Sequence, residues 1–379
     1  IQSAIDMAVT GDLIIVSPGT YSEAISFGGK IITVQSINPN DPSITEQTII
    51  DATNAGLGLG SPYVVAFASD GDNAVLAGFT ITGGTDGIYG HRSRATIRDC
   101  VIHHNNFSGI SDHYGIISHC VIRDNGIGLS ACKGSVIQSI IENNETGING
   151  FGSYYYDTNP ISIIIDTKIL NNETGIVDSY NTEFLRCVIS KNRFTALEYS
   201  FGLLMRQCLI SGNGYDSDVV GSVKFSGRIE NSIISGNFWG ETIMDRMMDI
   251  FNCTITGNKA PGPEYESVFL GRRIFNSIIW DNDENIGYSL VQSGTINPFF
   301  AIPGYRDPAT QMWVDGDYHL RAGSPYIDAG LIGFNDSTVD FDGNPRVVNG
   351  RVDIGAYEFQ NDCHGHDFDD DGIANDCDP

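Results

Sequence analysis

Basic residues are scarce in this chain of 379 residues. There are 21 Lys and Arg, only six of them Lys, against 47 Asp and Glu, for a net charge of −26. That balance argues against nucleic acid as a partner, since gripping a phosphate backbone needs a basic face. An acidic polysaccharide would also be repelled unless calcium bridged the two. Long apolar runs are missing, and none approaches the ~20 residues of a membrane span. No leader peptide is visible, although the sequence opens inside a motif, so residue 1 need not be the native N-terminus. A sustained apolar period of 3.6 residues is absent too, which removes helical solenoids.

A repeat is present instead. Isoleucine stands at Ile81, Ile102, Ile122, Ile141, Ile169, Ile189, Ile210, Ile234, Ile255 and Ile279, at intervals of 19–24 residues apart from one of 28. Two residues before each isoleucine, after the first repeat, the side chain is small: Cys100, Cys120, Ser139, Thr167, Cys187, Cys208, Ser232, Cys253 and Ser277. Three residues earlier again stand apolar residues such as Leu76, Ile97, Val136 and Phe184. Three residues after the isoleucine comes asparagine, from Asn105 and Asn125 through Asn282. The small residue and the isoleucine share a face, as alternation in a strand demands. The apolar residue three positions earlier cannot share it unless the chain bends, and the intervening residue is usually polar (Asp99, His119, Gln138), which suits a corner. Asparagine, which tolerates the left-handed conformation, marks a second corner, and stacked amides can hydrogen-bond along the column. Several repeats resume with Gly-Ile or Gly-Leu, as at Gly87-Ile88 and Gly128-Leu129. Three short strands in a repeat of roughly 20 residues make one coil of a parallel β-helix.

The expected class is therefore all-β, a β-helical solenoid over residues 1–289 with a short capping helix within residues 1–10. Solenoid stability adds coil by coil, so a long single domain is reasonable. An irregular closing segment follows at 290–360, and an acidic segment at 361–379. Five of the eight cysteines lie in the small-residue column and read as buried thiols. Neighbours such as Cys100 and Cys120 are close enough along the stack to be bonded. Cys363 and Cys377 bracket the acidic segment and are the candidates for a disulfide.

Three constellations carry potential chemistry. In "DFDDDGIANDCD", Asp367, Asp369, Asp371 and Asp378 fall at loop positions one, three, five and twelve, with Gly372 at six and the Ile373 carbonyl at seven. Such an arrangement surrounds one Ca2+ with oxygens. Position twelve is Asp rather than Glu, and no flanking helices are evident. The fourth residue after each Gly of the Gly-Ile strands is His91, His113, Cys132, Phe151 and Ser179. If Ile88 points in, this column points out, and His91, His113 and Cys132, with Arg92 and Lys133 beside them, would form a ladder able to bind a metal or supply a base. Against that stands an ordinary exposed strand face. Tyr154, Tyr155, Tyr156 and Phe151 offer aromatic faces on which sugars stack, unless the loop that carries them folds back on the coils. His103, His104 and His119 fall at corners and should be solvated.

Residues 1–21, "IQSAIDMAVTGDLIIVSPGTY", resemble the opening of secreted bacterial right-handed β-helix proteins of the pectin-lyase-like superfamily. "LAGFTITGG" at 76–84 and the recurring C-x-I-x-x-N resemble their coils. "DYHLRAGSPYIDAG" at 317–330, with "DFDGNPRVVNGRVDIGAYEFQ" at 340–360, is similar to the closing segment of choice-of-anchor β-helix surface proteins. The acidic loop resembles thrombospondin type 3 and dockerin calcium loops. These resemblances imply a right-handed helix and a secreted or cell-surface life, with polysaccharide or cell-surface components as partners. The superfamily includes pectate lyases, polygalacturonases and alginate lyases. Gly-His-Gly, a motif of polygalacturonase chemistry, does not occur here, the adjacent aspartates that accompany it are found only in the acidic loop at Asp369–Asp371, and the coils show no obvious cluster of calcium-binding acids beside an Arg base. The leading expectation is a structural, adhesive or glycan-binding role. A polysaccharide lyase or glycoside hydrolase working on the long strand face is the alternative, and self-assembly into filaments is a third reading.

Overall fold

Each coil consists of three short strands and three corners, as the odd spacing of the apolar columns requires. Val75–Ala77, Thr80–Thr82 and Asp86–Tyr89 are the strands of one coil. Each pairs in parallel with its counterpart one coil later, Leu76 with Ile97, Ile81 with Ile102 and Ile88 with Ile110. The chain is an all-β, right-handed parallel β-helix. The structure, a computed structural model, describes residues 1–53, 63–68, 72–152, 162–215, 223–238, 248–259, 271–282, 291–294, 296–333, 337–348 and 350–360. Two compact units, Ile1–Glu183 and Phe184–Pro379, are each built of such coils.

The corners are set by single residues in the left-handed backbone region. At the first corner these are Asp99, His119, Gln138 and Asp166 in the first unit, and Gln207, Asn231, Asn252 and Asn276 in the second. A left-handed residue breaks the alternation of the strand, so an inward side chain recurs after three residues instead of two. Ile97, Cys100 and Ile102 are therefore all buried.

At the second corner the left-handed residue is not the asparagine, contrary to the expectation from sequence. It is the residue before it: His104, Asp124, Asn143 and Asn171, then Lys191, Gly212, Gly236, Gly257 and Asp281. The asparagine amide is thereby turned inward. Asn125 Nδ2 donates to Asn144 Oδ1 at 3.1 Å, and Asn144 Nδ2 to Asn172 Oδ1 at 3.0 Å. The same acceptors take the backbone N–H groups of Asn125 and Asn144, each at 3.0 Å. Nδ2 of Asn125 also reaches the Ile102 carbonyl at 3.2 Å. In the second unit Asn192, Asn213, Asn237, Asn258 and Asn282 repeat the ladder at 2.8–3.0 Å. Buried amides placed this way satisfy the backbone groups that the corner leaves unpaired.

The small-residue column behaves similarly. Ser232 Oγ accepts from the N–H of Cys208 at 3.0 Å, and Ser277 Oγ from that of Cys253 at 3.1 Å. Its cysteines are buried free thiols. Burial pushes the Cys253 thiol up to about 12, which keeps it out of thiolate chemistry. Cys363 and Cys377 lie outside the described residues.

The N-terminal helix spans Gln2–Met7 and places Ile5 in the core. A second helix, Pro42–Gln47, follows Asp41, whose side chain accepts from the Ser43 N–H. That N-cap followed by proline was a legible helix start that the strand pattern masks. In the second unit the closing segment does more than cover a last coil, because it runs along the sides of several. Trp313 lies over Gly236 and Gly257, where an added Cβ would come within 2.1 Å of its ring. This explains glycine at corner positions that hold Lys191 and Asp281 in other coils. The Arg306 guanidinium stacks on Phe238 at 3.8 Å and donates to the Gly236 carbonyl at 2.7 Å. On another corner Gln207 Nε2 donates to the Asp340 carbonyl at 2.8 Å, and Asn276 Nδ2 to that of Leu331 at 2.8 Å.

Asn144→Leu should remove a buried acceptor and donor from the middle of the ladder and lower stability by about 3 kcal/mol. Denaturant unfolding of the variant checks this. An unchanged midpoint would show that the ladder contributes nothing.

Candidate functional site

The third strand of each coil and the corner after it carry the column of His91, His113, Cys132 and Phe151. The Gly-Ile strands are Asp86–Tyr89, Ser108–Ser111, Ile127–Ser130, Thr146–Asn149 and Thr174–Val177. Asp112, Ala131, Gly150 and Asp178 follow them in the left-handed region. Each such residue turns the next side chain inward. His113, Cys132 and Phe151 are consequently interior, all with zero exposure, and the expected outward ladder does not exist. Backbone hydrogen bonds fix the column: Tyr114 N–H to Ser93 O, Lys133 N–H to His113 O, Gly152 N–H to Cys132 O and Tyr180 N–H to Phe151 O, at 2.8–3.0 Å. The residue in register with His113 is Ser93, not His91. Two additional residues, His91 and Arg92, are inserted at this corner, and both take positive φ.

His113 is therefore excluded as a solvent-facing base, and Phe151 as a sugar platform. His91 and Arg92 are exposed instead, because the insertion pushes them out of the wall. Tyr154, Tyr155 and Tyr156 lie outside the described residues, as do Asp367, Asp369, Asp371, Ile373 and Asp378.

Around His91 and Arg92 the first unit gathers a set of side chains that the repeat pattern did not reveal. Tyr63 and Tyr89 stack with ring centroids 4.3 Å apart and planes within 14°. The His91 ring lies 5.5 Å from that of Tyr89. Arg92 Nε stands 3.7 Å from Asp112 Oδ1, with 72% of the arginine side chain exposed. Burial, the Asp112 carboxylate and Tyr63 raise the Tyr89 hydroxyl above its usual range, and Arg92 acts in the opposite sense. Tyr89 is thus a neutral hydroxyl at physiological pH rather than a phenolate base. Asp86, buried at the start of that strand, accepts from Ser111 Oγ at 2.7 Å and the Ser108 N–H at 3.0 Å. Past the same corner on the next two coils, the Lys133 ammonium lies over the Tyr114 ring at 5.0 Å. Aromatic faces flanked by a guanidinium, a carboxylate and an imidazole suit a ligand with apolar faces and hydroxyl edges. The sequence signal for this set was weak. Tyr63 lies in an irregular coil, and Tyr89 occupies a position held elsewhere by Ser111, Ser130, Asn149 and Val177.

Known proteins can be set beside this geometry. A family model described as a right-handed beta helix region matches residues 63–238. No curated protein sequence matches the chain. Among solved structures it is similar to pectate lyase Pel9A, with 17% identity, a TM-score of 0.42 and coverage of 94% of this chain and 90% of that one. It is also similar to the full-length tailspike protein 2 of Escherichia coli O157:H7 bacteriophage CAB120, with 13% identity, a TM-score of 0.44 and coverage of 80% and 46%. An alginate lyase from Paenibacillus sp. str. FPU-7 gives 15% identity, a TM-score of 0.36 and coverage of 78% and 96%. Likeness at this level concerns the fold and carries nothing about activity.

The interior column has a consequence for pH. Burial pushes His113 down to about 4, with the backbone at Ala95 and Ile116 acting in the opposite sense. Neither ring nitrogen makes a well-formed hydrogen bond. The unfolded chain, with its histidine near 6.5, binds the proton first as pH falls. Stability should therefore drop between pH 6.5 and about 4, by about 3 kcal/mol from this group. Comparing denaturant midpoints at pH 7 and 4.5 for the native chain and His113→Leu measures that share. An equal acid loss in both would show that His113 contributes none of it.

Proposed function

We propose that this is an extracellular or cell-surface β-helix protein that binds glycans through the Tyr63–Tyr89 platform. The observation that carries the reading is the 4.3 Å tyrosine stack with Arg92 and Asp112 beside it. A pyranose ring presents C–H faces to aromatic surfaces, and its hydroxyl edges find donors and acceptors in the guanidinium and carboxylate. Support for export comes from the resemblance of the opening and closing segments to secreted and surface-associated β-helix proteins. Catalysis is the second reading. Exposed His91 and Arg92 beside Asp112 keep a lyase in view, but a raised Tyr89 hydroxyl makes a poor proton acceptor.

Retention on a panel of immobilised polysaccharides, assayed together with the absorbance of unsaturated products, separates these readings. Retention without turnover is expected, and Tyr89→Ala should weaken it about tenfold, or about 1.4 kcal/mol. Product formation would instead establish a lyase. Neither retention nor product would sink the binding reading and favour a structural or self-assembling role.

The C-terminal segment is proposed to hold one Ca2+ through Asp367, Asp369, Asp371, the Ile373 carbonyl and Asp378. The donor types that the sequence supplies on either side of Gly372, four carboxylates and a carbonyl, are those of a hard-cation site. Calorimetric titration with calcium should show one site that Asp369→Asn together with Asp371→Asn abolishes. No binding heat at millimolar calcium would reject it.

A further inference from the structure

The adjacent histidines at residues 103 and 104 occupy an arrangement that the repeat does not require. At the same two positions neighbouring coils carry Thr82-Gly83, Arg123-Asp124, Glu142-Asn143 and Leu170-Asn171. His103 closes the second strand of its coil, and His104 is the left-handed corner residue, with φ 51°. That backbone swing brings the two rings together edge to face, with centroids 4.9 Å apart. Their Nδ1 atoms approach to 2.7 Å. Only one of the two can carry the proton between them, so the other presents a lone pair to the same point.

We propose that His103 and His104 form a two-nitrogen chelate for a divalent transition-metal ion, with the metal replacing the shared proton. Two imidazoles bound at about 2.0–2.1 Å to adjacent positions of one ion stand about 3 Å apart. Opening from 2.7 Å needs only small rotations of a half-buried and an exposed side chain. Arg123 pairs with Asp124, so the local positive charge is offset. The chain's net charge of −26 favours cations generally. Among the described residues no third His, Cys, Asp or Glu completes a cluster. The remaining positions fall to water or to an oxygen of a molecule resting on this face. Imidazole donors in an open site select for Cu2+, Ni2+ and Zn2+ over Ca2+ and Mg2+.

The test uses the full chain with His364 and His366 replaced by Ala, since that His-x-His pair could bind metal on its own. Cu2+ is titrated by calorimetry, and its coordination is followed by electron paramagnetic resonance. One equivalent bound with hyperfine structure from two imidazole nitrogens is expected. His103→Thr and His104→Asn take residues that neighbouring coils already carry at these positions, so the coil is preserved. Each should weaken binding about tenfold or more and leave a single nitrogen. His119→Ala should change nothing. Absence of nitrogen coordination in the starting chain, or its persistence with both substitutions together, would overturn the assignment.

Discussion

Stacking in register is the constraint on which the rest depends. Every strand must lie over its predecessor so that its backbone groups pair with the next coil, and this holds only if all coils turn their corners alike. One left-handed residue at each corner achieves that. It explains why Asp, Asn, Gly and an occasional His or Lys recur there, since a left-handed backbone is least costly for glycine and for short polar side chains. The same device turns the next side chain inward, and so decides what is core and what is surface.

Much of the fold was legible because the columns are periodic. The isoleucine, small-residue and asparagine series gave the coil, the first corner and the amide ladder. Their spacing could not say which residue of the second corner was left-handed. Asn125 and Asp124 are both suited to that conformation, and only the demand for buried acceptors assigns Asn125 to the interior. The third corner was misjudged for a related reason. Strict alternation from Ile110 puts His113 outside, whereas the left-handed Asp112 puts it inside. The first corner had already required such a bend, and the same logic applied to the third would have predicted an interior His113.

The candidate site was less legible because it depends on an irregularity. His91 and Arg92 were picked out as neighbours of a ladder that does not form. They reach the surface through a two-residue insertion, and their partners Tyr63, Tyr89 and Asp112 come from three coils. A repeat pattern records what coils share, and a binding site is made where they differ. The clasp of Trp313 over Gly236 and Gly257 illustrates the same point, since its trace in the sequence is a short run of glycines, with Gly212, in a corner column that is otherwise polar.

The most direct test of the stacked-coil account is hydrogen exchange of the asparagine side-chain amides followed by NMR. The Nδ2 protons of Asn125, Asn144, Asn213 and Asn237 should exchange orders of magnitude more slowly than those of exposed asparagines, and in step with the strand backbone of their coils. Exchange at the rate of a free asparagine side chain would contradict the internal ladder and the corner geometry that creates it.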